Sequence, residues 1–346
     1  MAPDGMQIRV RGASMKVTII NRDKLYLMGF LLGAGLLLFL GRNLLQQSVL
    51  VTWGLTFGGA TGLIVLVVAL YRVRLELQAS RRQLARKEAE LSFALEVQRA
   101  LFPRTLPVDG GLEFAAICIP ARGISGDYYD VIQLPGGRLI FAIGDISGKG
   151  ISAAILMANL QAVLRTLIKT SHTPLEICSR LNHHFHQVTD ESRFATFFYG
   201  DWSMTDKRLT YVNAGHHSPV LIGSCGGQRL ENGGLPLGMF QDTEFQAGDV
   251  LLQHGDLLVL YSDGITEAES QGGEEFGESR LQAVVEENRD RPVAEIQERV
   301  LDAVRDWSGD EPADDMTLLI VKAIAAGHKE AQDAREASAV SVHTTA

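Results

Sequence analysis

The chain has 346 residues, 46% hydrophobic and 21% charged, with 41 acidic against 32 basic side chains and a net charge of −9. An acidic chain with no Arg/Lys stripe interleaved with aromatics lacks the positive field that holds nucleic acid, so no nucleic-acid partner is expected. Its three cysteines, Cys118, Cys178 and Cys225, are widely separated and in no CxxC spacing, and read as buried or reduced thiols of a cytosolic domain.

Residues 1–24 are polar with a basic bias (Arg9, Arg11, Lys16, Arg22, Lys24), as a cytoplasmic segment would be. From Leu25 to Leu40 every residue is apolar, aromatic or glycine. As a helix this run covers about 24 Å, a little short of a hydrocarbon core of about 30 Å, and spanning needs Leu44 and Leu45 with Arg42 snorkelling to the interface. A second run, Val49 to Tyr71, covers about 34 Å. No small-residue cleavage pattern separates the runs, so a signal peptide gives way to a transmembrane helical hairpin over 25–71, turning at Gly41 to Ser48. Basic residues crowd both outer flanks (Arg72, Arg74, Arg81, Arg82, Arg86 and Lys87 after the second span), while the turn holds only Arg42. The positive-inside rule then places both termini in the cytoplasm, as in a multi-pass protein of the inner membrane. Gly29/Gly33 and Gly58/Gly62 are small-xxx-small pairs that suit packing within the hairpin or a homodimer.

Arg72 to Phe102 is a long helical pattern ended by Pro103. Leu77, Leu84 and Leu91 fall at heptad spacing, but Ser80 and Lys87 interrupt the seam. A weak parallel coiled coil and a single amphipathic helix docked on the next domain both fit, and either is a rigid linker. From about Leu112 the pattern changes to short strands (Glu113–Pro120, Arg138–Ile143, Ala195–Trp202, Arg208–Asn213, Val220–Gly223, Asp249–Leu252, Leu257–Ser262, Thr317–Ala323). Helices are expected over Ile151–Lys169, Pro174–Val188, Ser279–Glu287 and Val293–Trp307. Strands in runs with helices grouped between them indicate an α+β domain over 103–325. The polar tail, 326–346, reads as disordered.

The chemistry centres on Leu139–Leu160, LIFAIGDISGKGISAAILMANL, where an apolar strand ends at Gly144-Asp145, passes a Ser-Gly-Lys-Gly turn and enters a helix. An ordinary strand-turn-helix connection explains this stretch alone. Three companions change the reading: Ser125-Gly126-Asp127 upstream, Ser262-Asp263-Gly264 after a second apolar run, and Asp314-Asp315 before a third. Were the fold to converge Asp127, Asp145, Asp263 and Asp314, two neighbouring anions at about 4 Å would repel by roughly 4 kcal/mol at an effective dielectric near 20. Such a cluster needs cations, and all-oxygen ligands select hard ions, Mg²⁺ or Mn²⁺. Two such ions can share and activate a water and hold phosphate oxygens for in-line attack. The GxxxxGK[ST] phosphate loop is absent, which argues against a kinase or ATPase.

In this order and spacing, FAIGDISGKGISAA, SGDYYD, FATFFYG, VNAGHHSPVL, GLPLG, LYSDGITEA and DDMTLLIV resemble the SpoIIE/RsbU-type branch of the PPM (PP2C-like) metal-dependent protein serine/threonine phosphatases, over about Glu113 to Ala323. The resemblance implies a PP2C-like β-sandwich flanked by helices, a centre of two Mn²⁺ or Mg²⁺ ions, and hydrolysis of phosphoserine or phosphothreonine. It implies as substrate a regulatory protein such as an anti-sigma factor antagonist, with control through an N-terminal connecting helix. By position, Asp145 matches the aspartate bridging both metals, with the Ile146 carbonyl as backbone ligand. Asp127 matches the upstream aspartate that holds one metal, partly through water, and Asp263 and Asp314 match the ligands of the other. Asp315 stands where many eukaryotic relatives carry Asn, and is expected behind the ligands. Those relatives have a proposed general-acid His two residues after the bridging Asp; here the place is Ser147, leaving a metal-bound water, Lys149, or no specific acid. A phosphate-clasping Arg has no clear counterpart, although Arg122 lies near in sequence.

Adjacent side chains do not share a helix face, so His183, His184 and His186 read as solvated surface before a metal site. His216 and His217 sit where the branch usually has one His followed by another polar residue; structural and substrate-facing roles both fit. Thr196 and Thr317 are expected to be strand residues supporting the site. A non-enzymatic module gripping a partner through the same surface is the rival reading, but a pure binder has no reason to keep four mutually repelling carboxylates.

Overall fold

The computed structural model describes residues 22–42, 49–107, 111–121, 123–170, 173–190, 192–223, 226–310 and 312–324. Of the hairpin turn expected at Gly41 to Ser48, Gly41 and Arg42 end a helix, while 43–48, the segment 1–21, Arg122, Cys225 and the tail from 325 lie outside the described residues. Two units divide the chain, 1–87 and 88–346.

In the first unit α1 (Arg22–Arg42) and the start of α2 (Val49–Arg99) carry the two apolar runs. Along these stretches Phe30, Leu37, Trp53, Phe57 and Ile64 are exposed, which in water would cost the hydrophobic contribution of every one of them. An 18-residue window of α2 has a mean hydropathy of 1.9 with none of it buried. The apolar run and the polar connector expected after it belong to one continuous helix, which ends at Arg99 rather than at the expected Phe102.

The second unit is built from β1 (Leu112–Ile119), β2 (Asp127–Leu134), β3 (Arg138–Ile146), β4 (Ala195–Ser203), β5 (Arg208–Ala214), β6 (Val220–Gly223), β7 (Gly226–Arg229), β8 (Gly233–Gly234), β9 (Gly248–Leu251), β10 (Leu257–Tyr261) and β11 (Met316–Ala323). One sheet has the order β1-β11-β10-β6-β7; the other runs β2-β3-β4-β5-β8, with β9 also paired to β5. Side chains alternate across each strand, so each sheet has two faces to cover. Val131, Phe141 and Phe198 of one sheet meet Phe114, Leu258 and Leu319 of the other in the layer between them. The outer face of the β3 sheet packs Ile140 and Tyr199 under Met157, Leu160 and Leu164 of α3 (Ile151–Leu167) and Phe185 of α4 (Pro174–Val188). On the far side Val259 and Ile320 lie under α6 (Gly277–Glu287) and α7 (Val293–Ser308), which presents Ile296, Val300 and Val304 at helical spacing. This is the expected sandwich with helices on both faces. A window of α3 also reaches a mean hydropathy of 1.6, but it is 39% buried and is a core helix.

Three local expectations are corrected. The strand from Arg138 does not stop at Ile143 but continues to Ile146, so Asp145 lies within a strand and pairs with Thr196 on one side and Asp127 on the other. The SGDYYD segment, where no strand was expected, starts β2 at Asp127. Its polar residues masked the strand because their buried charge is compensated from a distance: Arg165 of α3 forks onto the fully buried Asp130 at 2.7 and 2.8 Å. Asp263, expected just past the end of a strand, opens a short helix, α5 (Asp263–Thr266).

Candidate metal centre

Both sheets deliver their acidic residues to one end of the sandwich. Asp127 opens β2 directly across from Asp145 of β3. From the other sheet, Asp263 follows β10 as the first residue of α5, and Asp314 and Asp315 precede β11. These last two segments are fastened by Ser262, whose N–H donates to the Thr317 carbonyl at 3.0 Å while its Oγ accepts from the Thr317 N–H at 2.9 Å. Gly264 is required there: a Cβ would stand 2.1 Å from the Asp315 carbonyl oxygen. At Gly126 a Cβ would meet the Ile146 carbonyl at 3.1 Å and Asp145 Oδ1 at 3.4 Å, so the two glycines of the SGD and SDG motifs let the acidic segments close on one another.

The electrostatics of this end are those of a site short of positive charge. Asp127 is 1% exposed and its Oδ2 has no hydrogen-bond partner. Burial, and then the neighbouring Asp145, raise its pKa well above the usual carboxylate range, while the nearby Thr317 and Ser262 hydroxyls oppose the shift. Asp145 is pushed up to about 7, first by burial and then by the charge of Asp263, with Asp314 and Asp315 adding to it. All four expected carboxylates therefore share one electrostatic neighbourhood. An unpartnered buried oxygen beside mutually repelling carboxylates fits hard divalent cations, and the donors are oxygens suited to Mg²⁺ or Mn²⁺.

Around these ligand candidates the chain supplies supports. Asp315 accepts from the Ala121 N–H at 2.8 Å and the Gly126 N–H at 2.9 Å, holding the segment that leads into Asp127 from behind. Ser147 Oγ accepts from the Phe194 N–H at 2.9 Å, tying the turn after Asp145 to the lead into β4. Lys149 Nζ lies 2.6 Å from Asp314 Oδ2, so this lysine is held at the ligand cluster in an exposed pair. Thr196 Oγ1 reaches the Asp145 carbonyl at 3.5 Å and His216 Nδ1 at 2.9 Å. His216 is buried, its pKa lowered to about 3 by burial and then by His217, so it is neutral. Of the two roles open to it, the structure gives His216 the structural one, whereas His217 is exposed.

His183 faces Gln187, His184 bonds Asn159 and His186 bonds the Gly238 carbonyl, so the three rings point to different partners and form no metal site. Cys118 and Cys178 are free thiols; burial raises both, Cys118 to about 12, leaving them protonated and unreactive.

Two participants escaped the sequence reading. Gln98, at the end of α2, is 4% exposed; it donates to the Ser125 carbonyl at 2.7 Å and accepts from the Ser125 N–H at 2.9 Å, two residues before Asp127. Nothing in a helical polar pattern marks one glutamine as such a clamp. Glu267 stands one helical turn beyond Asp263, and the Asp-x-x-x-Glu spacing was the signal available for it.

The family profile described as Stage II sporulation protein E (SpoIIE) matches residues 135–324. Phosphoserine phosphatase RsbU of Bacillus subtilis is 32% identical over 238 residues, covering 68% of this chain and 70% of that protein. Phosphoserine phosphatase RsbP of the same organism is 26% identical, and the chain spans 53% of its length. Among solved structures, the RsbU and RsbW domains of a Mycobacterium tuberculosis protein align with a TM-score of 0.56 at 27% identity, covering 64% of this chain and 62% of that one. The SiaA PP2C domain of Pseudomonas aeruginosa shares the fold with a TM-score of 0.61 at 20% identity, covering 69% and 97%.

Proposed function

The chain belongs to the SpoIIE family of PP2C-type protein serine/threonine phosphatases, and from that premise we propose that it is a membrane-anchored, metal-dependent enzyme that removes phosphate from phosphoserine or phosphothreonine of a regulatory protein such as an anti-sigma factor antagonist. The observation that carries the metal-dependent reading is the buried, unpartnered Oδ2 of Asp127 set against Asp145, whose own charge is opposed by Asp263 and Asp314. Asp127, Asp145, the Ile146 carbonyl, Asp263 and Asp314 would hold the ions, with Asp145 in the middle of the set. When bound, two Mn²⁺ or Mg²⁺ ions supply an activated water and hold the phosphoryl oxygens.

The chain's own part is positioning. Asp315 and Gln98 hold the backbone that carries Asp127, Thr196 steadies Asp145, and the Ser262–Thr317 pair keeps Asp263 beside Asp314. Lys149, already paired with Asp314, is a side chain at the cluster suited to protonating a leaving alkoxide or steadying the phosphate. Residues 103–325 form the catalytic part in this reading, 72–102 the linker and 25–71 the anchor. The exposed apolar surface of α2 and the basic flanks support placing the enzyme at the inner membrane, catalytic part in the cytoplasm.

The test is phosphate release from candidate antagonist proteins, each phosphorylated on serine and incubated with the detergent-solubilised full chain. Release that needs Mn²⁺ or Mg²⁺ and stops with a chelator is expected. Release indifferent to the chelator contradicts the metal-dependent reading.

A further inference from the structure

The segment that leaves β8, Leu235 to Gln241, is tied down from three sides. Leu237 exchanges two backbone hydrogen bonds with Ala195 at the start of β4, at 2.8 and 2.9 Å. Asn182 of α4, 1% exposed, accepts from the Gly238 N–H at 2.8 Å and donates through Nδ2 to the Phe240 and Gln241 carbonyls at 2.9 and 3.0 Å. His186 Nδ1 donates to the Gly238 carbonyl at 3.0 Å. These contacts fix the backbone, yet two large apolar side chains on it face outward: Leu235 is 49% exposed and Phe240 57%.

We propose that Leu235 and Phe240 form a docking ledge for the folded phosphoprotein substrate, which receives them in an apolar pocket rimmed by basic side chains while its phosphoserine lies at the carboxylate centre.

Single apolar side chains scattered over a surface need no partner. Two held out on an already ordered backbone are different, because a rigid aromatic anchor binds without the entropic cost of ordering it. Position selects the occupant. Ala195 pairs with Ile146 and the next residue, Thr196, with Asp145, so Leu237 stands two strand spacings, about 10 Å, from the backbone of the centre. A protein whose phosphoserine reaches Asp145 covers surface at that range, whereas a short peptide around the phosphoserine carries no folded surface to set on Phe240. Charge narrows the partner further. The exposed Asp242 and Glu244 follow Phe240, so the ledge attracts a basic rim and is repelled by an anionic lipid surface. In a second copy meeting it loop to loop, the same acids would face each other.

The proposal rests on the phosphatase reading, and its test keeps the two apart. The full chain in detergent is given an antagonist protein phosphorylated on serine, either folded or as a short peptide around that serine, and kcat/KM is measured for both at saturating Mn²⁺. The native chain should prefer the folded protein, and Phe240→Ser should cut that preference by about tenfold or more, through KM. Leu235→Ser should act in the same direction, as should Asn182→Ala, which leaves Phe240 in place but removes three of the loop's hydrogen bonds. A native chain that turns over both forms equally, or a preference that survives Phe240→Ser, overturns the docking ledge and leaves the phosphatase reading intact. A fall in molecular mass in Phe240→Ser assigns the ledge to a second copy and overturns the proposal likewise. Turnover of neither form removes the phosphatase reading, and the ledge with it.

Discussion

Asp127 and Asp145 are direct cross-strand partners of the β2–β3 ladder, and burial raises the pKa of both. A carboxyl that holds its proton more firmly in the fold than in the unfolded chain contributes stability that is fully present below its unfolded pKa, near 3.8, and is lost as the pH rises through the folded value, about 7 for Asp145. Thermal melts of the metal-free full chain should therefore fall in midpoint between about pH 4 and 7. Asp145→Asn should flatten the fall, and saturating Mn²⁺ should raise the midpoint most at the upper end, where the carboxylates are ionised. A native midpoint that climbs steadily over that interval without metal contradicts the assignment.

Asp315 supports the loop before Asp127 through two backbone N–H groups. Replacing it with alanine leaves both donors without their acceptor, at a cost of about 1–3 kcal/mol for each one left unsatisfied. Asp315→Ala should lower the melting temperature and raise the Mn²⁺ concentration needed for half-maximal turnover. Asp315→Asn, which keeps one acceptor, should fall between alanine and the native chain. Equal Mn²⁺ requirements in all three would show that the loop holds Asp127 without this carboxylate.

Gln98 grips Ser125 by both its carbonyl and its N–H. Losing that clamp in Gln98→Ala should loosen Asp127 more than the core, so the apparent Mn²⁺ constant should rise several-fold while kcat at saturating Mn²⁺ stays near native. A drop in kcat with an unchanged Mn²⁺ constant would place the effect of Gln98 elsewhere.

Much of the second unit was legible because its helices announce themselves: Pro174 sits at the first turn of α4, with Thr173 capping it, and Val293, Ile296, Val300 and Val304 mark the buried stripe of α7. The acidic residues were legible as a set through their glycine-flanked motifs. Their backbone conformation was not, since Asp127 and Asp145 look like turn residues until their strand partners are known. Long-range compensation explains the misses. Arg165, 35 residues from Asp130, and Gln98, 27 residues from Ser125, act through contacts that local periodicity cannot display.

The topology proposed from charge puts both termini on the cytoplasmic side of a hairpin formed by the runs at 25–40 and 49–71. A phosphatase reporter active only outside the cytoplasm, fused before Met1 or after Ala346, should be silent at both ends, and a fluorescent reporter that folds in the cytoplasm should be bright. Activity of the first at either end contradicts the arrangement.

The central claim is that Asp145 anchors cations on which the chemistry depends. Turnover of a phosphoserine substrate by Asp145→Ala, measured across a Mn²⁺ titration beside the native chain with circular dichroism to verify the fold, tests it most directly. The account predicts a folded protein whose Mn²⁺-dependent rate has fallen by far more than tenfold, a barrier increase well above about 1.4 kcal/mol. A folded variant that keeps more than about a tenth of the native rate, with the native response to Mn²⁺, would contradict it.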